Sequence, residues 1–479
     1  MSPNKGVFFY ATFDLSALLS LAEHLRQSPC SCDESKRPES GALNWAITLL
    51  FKDGAEWIFR SPRKCHDISP ETIARVLESE VATMKYVKLN SSIPVPEVFD
   101  YRYRHSSACR TIITDHHQSC TGFNTIGIPF ILMSKAPGFA LRNFAWNPSP
   151  KGIVSSRKPR PGLKRINKEK IMKQLGEICS QLLNLRFNEI GSLFEEDGEY
   201  RIKKCLSPPL VWHERDSLSD NDVPRGPFQN AHDYYKSLLS AFLLHVKELP
   251  LEQHAFFAPI PELREFETLA SYQSAVSRWN DFVAVGSKID SSKNRLDYCI
   301  AGHFLHNMIP LISQQTPAIF SDFANGYPLC HPDLSTSNIF VDCDFNITCI
   351  IDWAFSSTVP ISALLVTPGL PHPRDEADTT LAPTFRASFI QHFLQGKDFK
   401  LNAEFWDHTR IAWLFLRLVT LDSLQDYRYF TELHSLVYKQ KEDIDVPRLF
   451  NNVRKEEEFI KLAATLAEDD RSAEEIKKK

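Results

Sequence analysis

The stretch Cys330-His331-Pro332-Asp333-Leu334-Ser335-Thr336-Ser337-Asn338-Ile339-Phe340-Val341-Asp342-Cys343-Asp344-Phe345-Asn346-Ile347-Thr348-Cys349-Ile350-Ile351-Asp352-Trp353 decides how the rest of the chain is read. Two apolar, β-prone runs flank the polar turn Asp342–Asn346, which predicts a hairpin. With its midpoint at Phe345, Asn338 and Asp352 lie opposite each other where the strands meet their loops. Asp333 falls in the loop before the first strand. This placement suits phosphoryl transfer, which needs oxygen ligands to hold magnesium against nucleotide phosphates and a carboxylate to position the attacking hydroxyl. Asn338 and Asp352 supply the first requirement and Asp333 the second. The competing reading is a loop aspartate that caps a turn beside an ordinary hairpin.

Upstream of this hairpin the chain divides in two. The first third is strand-rich. Trp45–Phe51 and Glu56–Arg60 read as strands joined at Asp53-Gly54, a strong hairpin signal. Glu97–Tyr103 and Pro129–Met133 read as further strands. Ser69-Pro70-Glu71 reads as an N-cap, a first-turn proline and an acid that favours the helix dipole. The helix it opens carries Ile73, Val76, Leu77, Val81, Met84 and Val87 on one stripe, and Glu80 lies near the middle of that stripe. A carboxylate aimed at a core needs a cation or donors, so Glu80 reads as a core ion pair or an edge residue that reaches water. The remainder is mostly helical, with helices expected over Ile171–Phe187, Tyr234–Leu249, Leu296–Gln314 and Phe405–Leu421. One strand pair is set inside it.

Composition narrows the class. The 479 residues fit two lobes, and 43% hydrophobic with 24% charged residues indicates a soluble globular chain with a sizeable core. A net charge of −4 argues against a nucleic-acid-binding surface over the whole protein. Eleven scattered cysteines, an odd number, read as free thiols of a reducing compartment. No run of about 18 apolar residues predicts a membrane span. Val7–Ala22, broken by Asp14, reads as a first buried element rather than a secretory signal, and it lacks the arginines of a transit peptide. The expected location is cytoplasmic, with a mitochondrial one left open. His116-His117 reads as solvated, since no further ligands stand at metal-binding spacing. The basic run near 151–165, with Arg157, Lys158, Arg160, Lys164 and Arg165, reads as a solvated insertion.

These motifs resemble the aminoglycoside phosphotransferase and choline-kinase-like family, in particular its fungal branch of small-molecule kinase homologues. The resemblance covers most of residues 8 to 360. It rests chiefly on His331–Asn338 and Ile351-Asp352-Trp353, with support from Asp53-Gly54…Arg60, Glu80, Asn124–Met133 and Ile190-Gly191-Ser192-Leu193. It implies an α+β, protein-kinase-like fold of two lobes, a β-rich N-lobe and a mainly helical C-lobe, with ATP between them. The N-lobe would span 1–134 with a loop insertion at about 104–125, and the C-lobe 135–454, followed by a charged tail over 455–479. Position by position, the resemblance makes Asp333 the catalytic aspartate and Asn338 and Asp352 the magnesium ligands. Arg60 would meet the nucleotide phosphates, Glu80 would be its helical ion-pair partner, and Ser134 and Ala136 would form the hinge at adenine. His331 would support the catalytic loop.

The implied activity is an ATP- and Mg2+-dependent phosphotransferase acting on a small-molecule hydroxyl. The alternative is a catalytically weak or inactive pseudokinase that serves as a nucleotide-binding or regulatory module. Three departures from the family pattern stand out, and the first two favour that alternative. Arginine stands at 60 where many relatives have lysine, Gly41–Asn44 holds a single glycine, and Pro332 replaces a common glycine. Trp353 in place of phenylalanine, with no Ala-Pro-Glu after it, argues against a protein kinase. Gln391 stands where a P-loop around Gly396-Lys397 needs its first glycine.

Overall fold

The computed structural model describes residues 6–64, 67–103, 124–147, 160–252, 254–257, 263, 269–284, 290–313, 326–394, 403–440, 444–468 and 470. His116, His117, Arg157 and Lys158 lie outside the described residues.

The strands Asn44–Phe51 and Glu56–Pro62 form the expected hairpin, in register from Asn44 opposite Pro62 to Leu50 opposite Glu56. Gly54 in its turn has φ +84°, which glycine adopts without a Cβ penalty. Phe130–Ser134 pairs with Glu56–Pro62, and Val98–Arg102 closes that side of the sheet. The short strands Cys30–Ser31 and Glu39–Ser40 both pair with Asn44–Phe51 on its other side. Every pairing in this sheet is antiparallel.

Strand alternation gives the sheet two working faces. Trp45, Ile47, Leu49, Trp57 and Phe59 point to one, where the helix Leu15–Arg26 covers them through Leu18 and Ala22. Asp14, which interrupts the apolar N-terminal stretch, is the N-cap of this helix, and its Oδ1 accepts the Ala17 N–H at 2.9 Å. The opposite face, with Ile58, Ile131 and Met133, receives the helix Pro70–Asn90 through Leu77, Val81 and Met84. Ser69 caps that helix, as its sequence predicts, by accepting the Thr72 N–H.

The rest of the chain is built on the helices Arg165–Asn184, Ala231–Glu248, Ser292–Ser313, Ala382–Leu394, Ala403–Thr420 and Asp426–Val437. Two expectations need correction. The helix expected over Ile171–Phe187 starts at Arg165, inside the basic run, and ends at Asn184, so Arg186–Phe187 is a short strand instead. The helical part also holds more than one strand pair. Ser192–Glu196 and Glu199–Lys203 form a second hairpin. Its two-residue turn, Asp197-Gly198, has φ of +52° and +80°, the left-handed pair that matches strand twist. This hairpin is tied to the Pro70–Asn90 helix by Lys85 Nζ to Glu195 at 2.8 Å.

One apolar cluster crosses from the sheet into the helical part. It runs from Leu77 and Val81 through Ile131 and Met133 to Leu175, Leu182, Leu329, Ile339, Ile350 and Trp353. A second cluster fills the far helices. Among the described residues, eight cysteines are free thiols, and no helix is long and apolar enough to cross a membrane. The result is a two-lobed α+β fold. A sheet with a helix on each face stands on a mainly helical lobe, and the 330–353 hairpin lies at their junction.

Candidate active site

The hairpin of Ile339–Val341 with Ile347–Ile350 is held on three sides. Phe340 also pairs with Ala140, the Ile350 N–H donates to Pro94 O at 2.8 Å, and Trp353 Nε1 donates back to Ile350 O at 3.0 Å. Its register differs from the symmetric one by a residue. Ile339 faces Ile350, and an irregularity at Phe340/Val341 leaves Thr348 of the returning strand unpaired. Asn338 therefore sits opposite Ile351, whose N–H it accepts at 3.0 Å, and Asp352 lies one position further along. Asp352 has φ +64°, an unfavourable conformation for a residue with a Cβ, and the fold holds it there.

His331 joins the two ends of the hairpin. Its Nδ1 accepts the Asp333 N–H at 3.0 Å, so the proton sits on Nε2, which donates to Ile351 O at 3.1 Å. Burial pushes the imidazole down to about 4, so the ring is neutral at ordinary pH. Asn338 Nδ2 donates to Asp333 twice, to the backbone O at 3.0 Å and to Oδ2 at 2.9 Å. That orientation turns the Asn338 amide oxygen away from Asp333. Burial, and then the nearby Asp352 charge, raise the Asp333 carboxyl above its usual range, against the pull of Arg374. Asp333 Oδ1 is shut from solvent and makes no hydrogen bond.

Arg60 reaches this hairpin from the sheet. Its Nη2 pairs with Glu80 Oε2, and its Nη1 stands 3.4 Å from Asp352 Oδ1. Burial works against the Arg60 cation, yet the Glu80 and Asp352 carboxylates outweigh it and hold the guanidinium more firmly protonated than usual. Glu80 is thus the core ion pair, not the edge residue, of the two readings of its helical stripe. Ser134 and Ala136 follow at the end of the strand Phe130–Ser134. The Ser134 N–H donates to Glu97 O at 2.8 Å and its hydroxyl accepts the Glu97 N–H at 2.9 Å, which commits the backbone donor and leaves the hydroxyl proton available. Gly138, just beyond, comes so close to Val341 O that a Cβ would lie 2.3 Å from it.

The structure also brings up residues that sequence reasoning missed. The Thr336 N–H donates to Pro371 O at 2.8 Å, which lays the segment 369–375 against the catalytic loop. His372 Nε2 then stands 3.5 Å from Asp333 Oδ1, and Arg374 follows two residues later. Two prolines flanking a histidine, Pro371-His372-Pro373, were the available signal for a stiff loop.

Asp333, Asn338 and Asp352 offer hard oxygen donors, the set that suits Mg2+ rather than a softer metal. Among the described residues no three His, Cys, Asp or Glu side chains gather as a metal cage, so the candidate set is two carboxylates and an amide.

No family model matches the chain. A subtelomeric hrmA-associated cluster protein of Aspergillus fumigatus is 26% identical over 206 residues, 41% of this chain and 33% of that protein. Altered inheritance of mitochondria protein 9, mitochondrial, of Candida tropicalis is 27% identical over 161 residues, 33% of this chain and 21% of that one. The matched part is thus about a third or less of the length of these curated relatives. Among solved structures, the chain is similar to a streptomycin–ATP–APH(2")-IIa ternary complex, with TM-score 0.39, 11% identity, and 89% of this chain and 99% of that one covered. It is also similar to a putative fructosamine-3-kinase from Thermobifida fusca, with TM-score 0.41, 9% identity and the same coverage. These likenesses are distant, and the chemistry below rests on the chain's own side chains.

Proposed function

We propose that this chain is an ATP- and Mg2+-dependent phosphotransferase that moves the γ-phosphate to a hydroxyl of a small molecule, in the manner of aminoglycoside phosphotransferases. The observation that carries this reading is the convergence of Asp333, Asn338 and Asp352 with the Arg60–Glu80 pair, from segments far apart in sequence. A hairpin needs none of these five groups for its own stability.

In this reading the acceptor hydroxyl oxygen bonds to the γ-phosphorus while the bond from that phosphorus to the β–γ bridging oxygen breaks. The bond's electron pair leaves with ADP. Asp333 orients the hydroxyl and takes its proton at Oδ2, the oxygen that Asn338 Nδ2 already aligns. The raised Asp333 carboxyl is a stronger base than a free aspartate, which favours that transfer. Asn338 Oδ1 and the Asp352 carboxylate would hold the ion, which when bound offsets the negative charge of the phosphates. Arg60, aligned by Glu80, would meet the phosphates from the sheet side, and the Ser134–Ala136 segment would meet adenine. The action is proposed for the cytoplasm, with mitochondria as the alternative that one relative's name raises.

The decisive experiment is Asp333→Asn. Transfer from labelled ATP to a metabolite extract falls by about two to four orders of magnitude, the usual weight of a general base, while the Mg-ATP thermal shift persists. Unchanged turnover would sink the assignment. One feature favours the pseudokinase alternative. Leu43, in the single-glycine turn, packs into the same apolar cluster as Phe355, and Arg63 Nη1 holds the Gly41 carbonyl at 2.9 Å. A nucleotide-induced thermal shift with no transfer to any fraction of the extract selects that reading.

A further inference from the structure

The segment 369–375 is fixed from several directions. Thr336 holds Pro371 O, Trp413 Nε1 donates to Pro373 O at 3.3 Å, and the Asp375 N–H closes a turn onto His372 O at 2.8 Å. Gly369 lies so near Asp375 O that a Cβ would be 1.8 Å away. A loop pinned this way presents its side chains in set positions.

Two of those side chains face the catalytic carboxylate. The Arg374 backbone N–H donates to His372 Nδ1 at 3.2 Å, which leaves the ring proton on Nε2, toward Asp333 Oδ1. Arg374 Nε lies 3.1 Å from Nδ1, and its Nη2 lies 3.1 Å from Nε2 of the same ring. One guanidinium cannot meet both nitrogens in the ring plane, so it lies across the face of the imidazole. His372 thereby covers Oδ1, and what solvent reaches of the 40% exposed Asp333 side chain is its Oδ2 side. Arg374 is itself 43% exposed.

The charges around this wall are unevenly committed. Glu376 is chelated by both Arg410 nitrogens, at 2.7 and 3.1 Å, and Arg428 stands 3.7 Å away. Glu432 accepts two bonds from the same Arg410, at 2.7 Å each. Asp375 Oδ2 accepts the His372 N–H at 3.0 Å. Asp422 is paired closely with Arg417 and lies 3.4 Å from Arg374 Nη1. Glu376, Glu432 and Asp422 each have an arginine partner, Asp375 accepts a backbone N–H, and Arg374, which shares Asp422 with Arg417, keeps 43% of its side chain exposed beside the Asp333 carboxyl.

We propose that the acceptor is a hydroxyl compound carrying an anionic group, a carboxylate or phosphate, next to its reactive hydroxyl, and that Arg374, stacked on His372, recognises that group. This rests on the phosphotransferase reading of the same site. The acids on this wall that have an arginine partner are Glu376, Glu432 and Asp422, which leaves them less available to a cationic acceptor such as an aminoglycoside or choline.

The test uses matched probes: glycerate against glycerol and gluconate against glucose, with kanamycin and choline as cationic hydroxyl compounds. Binding is measured by calorimetry with a non-hydrolysable ATP analogue and Mg2+, and transfer is measured separately with labelled ATP. The anionic member of a pair should bind at least about tenfold tighter than the neutral one, the weight of one charge-assisted hydrogen bond. Arg374→Gln should bring that ratio near one, and Arg374→Lys should keep part of it. Preference for neutral or cationic members, or a ratio untouched by Arg374→Gln, overturns the inference. Loss of transfer with the anionic preference intact strikes the kinase reading alone, because the binding measurement needs no turnover.

Discussion

Arg60 and Arg215 are both drawn out of water in this fold, and they are kept charged by opposite means. Arg60 faces two carboxylates, Glu80 and Asp352. Arg215, fully buried, makes no ion pair among the described residues and meets dipoles instead. Its Nη1 donates to Pro209 O and to Val419 O, both at 2.7 Å, and its Nε to His245 Nδ1 at 3.3 Å. Val419 lies in the last turn of its helix, where carbonyls lack intrahelical partners and carry the negative end of the dipole. Burial pushes Arg215 down to about 9, whereas Arg60 is held above its usual range. Dipoles suffice to fix a structural cation. Arg60 is set instead by carboxylates, one of which, Asp352, remains a third exposed.

Removing one side of each arrangement should separate them most clearly. Arg60→Ala strands the Glu80 charge in the core and should cost about 3–5 kcal/mol, as broken buried ion pairs do. The double change Arg60→Met with Glu80→Met should recover most of that loss in urea unfolding, because the desolvated charges go together. Arg215→Met should cost roughly 3 kcal/mol or more, since it leaves two carbonyls and a ring nitrogen unpaired at about 1–3 kcal/mol for each. No single companion change should rescue it, because its acceptors are mostly backbone. If a Glu80-type rescue exists for Arg215, the contrast fails.

Acid tests the same two neighbourhoods through their histidines. His245, beside Arg215, is pushed down to about 2 and His331 to about 4, chiefly by burial. Both are neutral in the fold and become protonated in the unfolded chain near pH 6.5. Below that pH the unfolded state binds more protons, so stability falls as pH falls and is retained above it. Between pH 7.5 and 5.0 each histidine should contribute a loss of about 2 kcal/mol. His245→Gln should remove its share of the slope in urea unfolding, and a slope unchanged by that substitution would show that His245 is not held neutral.

The contrast also marks what the sequence could disclose. Glu80 stood out because a carboxylate at the centre of an apolar stripe demands a cation, and Asp14 and Ser69 are caps with local geometry. The 339–350 hairpin was readable from its apolar runs, but its register was not. The turn is centred one residue earlier than the symmetric reading and Thr348 is left unpaired in the returning strand, so Asn338 faces Ile351 rather than Asp352, and such irregularities leave no periodic trace. Asp197-Gly198 did carry a hairpin signal, flanked by Ser192–Glu196 and Glu199–Lys203, and it was overshadowed by the surrounding helices. Arg215, His372 and Arg374 were silent for a different reason. Their positions are set by partners far along the chain, Val419, Asp333 and Trp413 among them, and no local pattern encodes such pairings.

The finest distinction between the two arginines is geometric and calls for the mildest substitution. At position 60 separate nitrogens serve separate carboxylates, Nη2 for Glu80 and Nη1 for Asp352. A lysine keeps the Glu80 pair and gives up Asp352, which can turn to water, so Arg60→Lys should cost under about 1 kcal/mol. Its nucleotide-dependent thermal shift should survive as well, since an ammonium also binds phosphate. At position 215 the fork is used along its length, by Nε toward His245 and by Nη1 toward two carbonyls. An ammonium cannot span those three acceptors, so Arg215→Lys should cost about 1–3 kcal/mol. Equal losses at the two positions in parallel urea titrations would mean that burial, not the arrangement of partners, governs both sites.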